Sequence, residues 1–115
     1  MTGYFQDLTQ AVSGSLKQLR EDQPDVMKAF GTLGRAATQD GTLDRKTKEL
    51  IALCLGVAGH CDACIGFHMQ TLVKLGVTRA EVEEALAVAV YMGGGPSLMY
   101  AANAMAAFAE FSTPG

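Results

Sequence analysis

No run of apolar residues in this 115-residue sequence approaches the ~20 that a membrane span requires. The opening residues, MTGYFQDLTQ, lack the basic start and apolar stretch of a secretory leader. Clustered basic charge is also missing: nine Lys and Arg are scattered against twelve Asp and Glu, for a formal net charge of -3. A nucleic-acid site needs grouped cations to displace counterions from phosphates, so nucleic acid is set aside as a partner, as is a membrane. Cysteine is scarce and odd in number, three in all. A structural disulfide framework favours an even count and a secreted chain, so the expectation is a cytoplasmic protein in which any disulfide is transient. Strand patterns are absent, and so are internal repeats and linkers.

What remains is helix punctuation and a high apolar content. Apolar residues make up 49% of the chain and charged residues 18%, an oily balance for a small monomer, which suggests that some apolar surface meets another copy. The length fits one domain, residues 1–115. Phe5, Leu8, Val12, Leu16 and Leu19 form a stripe at helical spacing over about 4–20, facing a core or a partner. Pro24 opens a second helix that carries Val26, Met27, Phe30 and Leu33, weakened by Gly31 and Gly34. A third, from about Asp44 to Val57, turns almost wholly apolar after Glu49, which predicts burial on most sides and an exit at Gly56 and Gly59. A fourth runs from about Cys61 to Leu75 before a terminating Gly76. Thr78 and Glu81 form a capping box that opens a fifth, to about Met92. GGGP then breaks the chain before a last, alanine-rich helix, whose thin side chains admit a close neighbour. The fold class read from these signals is all-α, a compact arrangement of about six helices. Met92, Met99 and Met105 read as core or interface filling.

The chemistry is concentrated in GHCDACIGFH, residues 59–68, which holds both histidines and two of the three cysteines. Structural zinc sites draw their second ligand pair from a dozen or more residues away, whereas His60, Cys61, Cys64 and His68 lie within nine positions, so metal is not expected. Haem attachment fails because Ile65, not His, follows Cys64. Cysteines at i and i+3 share a helix face, and their Cα separation of about 5 Å suits a disulfide. The helix N-terminus favours thiolate over thiol, and His68, one turn after Cys64 on the same face, can move a proton. On local reasoning a helix-terminal dithiol usually exposes its first cysteine as the attacker.

A C-x-x-C motif normally sits in alternating strands and helices, which this chain lacks. Glu49, Cys61, Cys64 and His68, followed by GVTRAEVEEALAVAVYMGGGP and SLMYAANAMAAFAEF, resemble instead the AhpD-like, alkylhydroperoxidase branch of the carboxymuconolactone decarboxylase family over about residues 42–111. That resemblance implies an all-helical oligomer, often a hexamer. It implies a thiol-dependent peroxidase or disulfide reductase with no cofactor, acting on a hydroperoxide and restored by an external dithiol such as a lipoyl-bearing protein. It also implies roles: Cys64 attacks, Cys61 resolves, and His68 and Glu49 relay protons. The branch's founding member has a histidine just before its second cysteine, where this chain has Ala63.

Glu49 tests that assignment, because a helix continuing to Gly59 places it about 15 Å of axial rise from the helix end. To reach the dithiol it needs an early exit near Gly56 or a close crossing by the next helix; otherwise it is a solvated residue beside Lys46 and Lys48. His60 reads as structural or a minor modulator, and Cys54 as an inert core thiol. Two other functions compete: a lactone decarboxylase like the family's namesake, which does not depend on the cysteine pair, and a non-enzymatic protein whose disulfide state alters oligomer packing.

Overall fold

The computed structural model describes residues 3–113, and among them there are six helices and no strand. They are α1 (Tyr4–Asp22), α2 (Pro24–Thr38), α3 (Arg45–Ala58), α4 (Asp62–Lys74), α5 (Arg79–Gly93) and α6 (Gly95–Ser112). The expected all-α class and helix number hold. Their ends follow local chemistry: Asp44 accepts from the Thr47 amide to cap α3, and Thr78 and Glu81 form the predicted box at α5.

Helices α3 to α6 build the core, with α4 packed between α3 and α6. Leu53 and Val57 of α3, Ile65, Met69 and Leu72 of α4, and Val82 of α5 are fully buried. Each such side chain contributes about 1.5–3 kcal/mol of transfer free energy. Ala101, Ala104 and Ala107 are the buried stripe of α6, so the thin-sided helix does admit close neighbours. Only the start of α1 joins this core, through Phe5 and Thr9. Glu110 of α6 fixes that start by accepting from the Phe5 and Gln6 amides at 2.9 and 3.1 Å, a carboxylate at a helix N-terminus.

Several boundaries differ from the expectation. Gly56 does not end α3 but lies buried inside it, because α4 crosses there: a Cβ at Gly56 would stand 3.2 Å from Cys64 Cβ. The GGGP break is one residue wide, Gly94 at φ 73°, with Gly93 and Gly95 in the flanking helices. Gly93 permits the tight join, since a Cβ there would collide with the buried Ser97. Gly31 and Gly34 do not interrupt α2.

The apolar stripes also end differently. Helix α2 buries no residue, and its Val26, Phe30 and Leu33 stay exposed. Together with the back half of α1 it stands off as an arm, which agrees with a radius of gyration of 14.5 Å against about 13 Å for a compact chain of this length. Helix α3 is not buried on most sides either. Ile51 and Leu55 are exposed and, with Val88 and Met92 of α5, edge an apolar groove of about 400 Å³.

The α3–α4 crossing depends on a missing side chain. Gly56→Val should force α4 away from α3 and cost about 1–3 kcal/mol, as overpacking does, read as a lower urea midpoint of unfolding. An unchanged midpoint would show that the crossing is loose.

Candidate functional site

Cys61 is the N-cap of α4, with extended backbone, and Cys64 lies in the first turn. The two are joined as a disulfide with Cα atoms 5.2 Å apart, the separation expected for i, i+3 on a helix. Cys61 Sγ also accepts from the Cys64 amide at 3.2 Å, so a sulfur occupies the place a serine or aspartate oxygen takes in an ordinary N-cap. Free amides and the positive helix end therefore meet the sulfurs directly, the environment that favours a thiolate once the bond is reduced.

His68 follows Cys64 by one turn, and its Nδ1 lies 2.6 Å from Glu49 Oε2. Of the two routes open to Glu49, the close crossing is the one taken: α3 continues to Ala58, and α4 runs back along it. Glu49 touches His68, and so stands behind the dithiol instead of beside it. It is 4% exposed, and it is not a solvated member of a charged surface run. Its basic neighbours are engaged elsewhere, Lys46 with Glu81 at 2.7 Å and Lys48 with the Gln39 carbonyl at 2.8 Å. A carboxylate can only accept, so His68 Nδ1 carries the hydrogen and Nε2 is the nitrogen left to exchange a proton. A buried acid holding an imidazole in one tautomer is the arrangement that makes histidine a directed acid or base.

The other two flagged residues lie apart from this chain of groups. His60 is exposed, and its ring stacks on Tyr100 with centroids 4.7 Å apart and planes 13° from parallel. Cys54 is half-buried and lines the α3–α5 groove, where its thiol donates to the Ala85 carbonyl at 3.4 Å. Burial pushes that thiol above its ordinary pKa, so thiolate is scarce at neutral pH and Cys54 is a poor nucleophile. No cluster of three or more metal-ligating side chains occurs among the described residues.

Sequence reasoning passed over Asp62, Asn103 and Tyr4. Asn103 Nδ2 and the Tyr4 hydroxyl donate to the two oxygens of Asp62, at 3.1 and 3.2 Å. The one available signal was an acidic residue between two cysteines. Its partners are 41 and 58 positions away, beyond any local pattern.

This fold and constellation define a class. A family profile, the carboxymuconolactone decarboxylase family, matches residues 24–107, and the chain belongs to that family. An apo crystal structure of a family member from Legionella pneumophila is 57% identical, with a TM-score of 0.93 over 95% of this chain and 97% of that one. A family protein from Thermotoga maritima, whose name raises a part in the antioxidative response, is 29% identical, with a TM-score of 0.79 over 89% of this chain and 87% of its own. An uncharacterised protein of Cupriavidus necator is 46% identical over 90 residues, covering 78% of this chain and 80% of that protein.

The Glu49–His68 contact makes a thermodynamic prediction. His68→Ala strands a buried carboxylate and should cost about 1–3 kcal/mol in urea unfolding. Adding Glu49→Leu to that variant should recover part of the loss, because the unpaired charge is then gone. Losses that simply add would mean the two side chains are not coupled.

Proposed function

We propose that this protein is a thiol-dependent peroxidase of the AhpD-like kind, which also makes it a disulfide reductase toward its electron donor. The observation that carries this reading is the Cys61–Cys64 disulfide at the start of α4, one turn before a histidine held by a buried carboxylate. A lactone decarboxylase would have no use for the cysteine pair.

In the proposed cycle the Cys64 thiolate attacks the outer oxygen of a hydroperoxide. His68 Nε2 holds the proton that Cys64 gave up on forming the thiolate; an S–O bond forms, the O–O bond breaks, and the departing alkoxide takes that proton from Nε2, leaving a sulfenic acid and an alcohol. Glu49 accepts from Nδ1 and so fixes the direction of the imidazole. The Cys61 thiolate then attacks the Cys64 sulfur, forming the disulfide and releasing hydroxide, which is protonated to water. An external dithiol, a lipoyl-bearing protein by family resemblance, supplies two electrons and two protons through a mixed disulfide. Cys64 is assigned the attack because it is the cysteine that shares a helix turn with His68; Cys61, at the N-cap, has no such neighbour. The cycle needs a compartment that keeps dithiols reduced, which fits a cytoplasmic protein. No helix among the described residues is long and apolar enough to cross a membrane.

The same reading includes assembly. Large apolar side chains stand exposed on α2 and along the α3–α5 groove, which supports contact between copies of the chain. A hexamer is the form the family resemblance implies.

Counting free thiols tests the chemistry. Reduced protein treated with an alkyl hydroperoxide should fall from three free thiols to one, the survivor being Cys54. Glu49→Gln should slow that loss by about 10²-fold, the lower end of what a positioned acid or base supplies. Retention of all three thiols by the wild-type protein would rule the peroxidase out.

A further inference from the structure

Cys61 is held from both sides by side chains that the peroxidase cycle does not use. Its predecessor, His60, adopts φ 56°, a left-handed conformation that non-glycine residues visit at a cost, and stacks on Tyr100 of α6. Its successor, Asp62, is bonded to Asn103, which is three positions after Tyr100 on the same face of α6, and to Tyr4 of α1. Both Asp62 oxygens accept, as those of an ionised carboxylate do. Among the described residues no Lys or Arg pairs with it. The titratable neighbours are His60 in the same turn, Tyr100 on α6, Tyr4 on α1 and, along α4, His68 with Glu49 of α3 behind it. The Tyr4 phenol is pushed above its ordinary pKa by the Asp62 charge and then by their hydrogen bond.

We propose that Asp62, anchored by Asn103 and Tyr4, is a positioning residue for the dithiol, keeping Cys61 in bonding register with Cys64 and biasing the pair toward the disulfide. The inference rests on the dithiol reading above and adds a residue to it. Two effects act in the same direction. Closing the disulfide is intramolecular, so its equilibrium depends on how well the second sulfur is already placed, and a cap residue clamped by α1 and α6 loses little freedom on closure. A fixed negative charge on the residue that follows Cys61 also disfavours thiolate, against the pull of the helix end. That raises the free energy of the reduced side, the reverse of a strongly oxidising dithiol whose reduced form is stabilised.

The test equilibrates wild type, Asp62→Asn, Asn103→Ala and Tyr4→Phe with glutathione buffers and measures the fraction of Cys61–Cys64 disulfide. In that exchange the two protein thiols give two electrons to the glutathione disulfide; its S–S bond breaks, theirs forms, and two protons pass to the glutathione thiolates. The equilibrium constant for the protein disulfide should fall about threefold to tenfold in Asp62→Asn and Asn103→Ala, about 15 to 30 mV toward a more oxidising potential at 29.6 mV per tenfold. Tyr4→Phe should shift it the same way by less. Asp62→Asn should also move the pH profile of thiol alkylation to lower pH, whereas Asn103→Ala, which keeps the charge, should change it less. If Asn103→Ala loses its helical circular dichroism, Asp62→Asn, nearly isosteric, and Tyr4→Phe, at an exposed hydroxyl, decide the matter. An unchanged equilibrium constant in Asp62→Asn, or one that rises, overturns the proposal. No peroxide enters this assay, so a shifted potential in a protein without peroxidase activity upholds the clamp and removes the peroxidase, while an unshifted one in an active protein removes the clamp alone.

Discussion

A buried carboxylate is the constraint on which this site depends. Glu49 lies on α3 with 4% of its surface exposed, and a charge so placed must find a donor. It finds His68 on α4, and that contact decides which ring nitrogen carries the hydrogen and which is left to work. The contact exists because Gly56 has no side chain: two turns along α3 from Glu49, it lets the first turn of α4 approach to within van der Waals distance. Packing and chemistry meet in the same crossing.

The dithiol is built on the same helix, so its position inherits that rigidity. Cys61 caps α4 and Cys64 is in its first turn, and the 5.2 Å between their Cα atoms lies within the range a disulfide spans. Opening and closing the bond therefore requires no rearrangement of the helix. The surfaces that do lack support are elsewhere: the α1–α2 arm and the α3–α5 groove leave large apolar side chains in solvent. The dithiol and these uncovered apolar side chains thus occupy different faces of the chain, with α3 contributing to both through Glu49 on one side and Ile51 and Leu55 on the other.

Much of the fold was legible because helix ends carry their own chemistry. The Thr78–Glu81 box, Pro24, Gly76 and the apolar spacing of α1 each locate an element within a few residues. Glycine was the ambiguous letter. Gly94 does break the chain, but Gly56 marks a close helix crossing, and in a single sequence a turn and a crossing look alike. The apolar run of α3 was read as burial on most sides, whereas Ile51, Leu55 and Ala58 face solvent, because hydrophobicity does not say whether the covering surface belongs to the same chain. Within the site, Cys61, Cys64 and His68 were visible as one helix face. Glu49 came through family resemblance under a geometric condition; the α3–α4 crossing brings it to His68, behind the dithiol. Asp62, Asn103 and Tyr4 were invisible because their contacts join α1, α4 and α6 across distant stretches of sequence.

The central claim is that the cysteine sharing a turn with His68 is the one that meets the oxidant. Trapping the sulfenic acid with a carbon nucleophile and locating the adduct by mass spectrometry, in Cys61→Ser and in Cys64→Ser, tests it most directly. The account predicts an adduct on Cys64 in the first variant and none on Cys61 in the second. An adduct on Cys61 in the Cys64→Ser protein, with none on Cys64 in the Cys61→Ser protein, would contradict it.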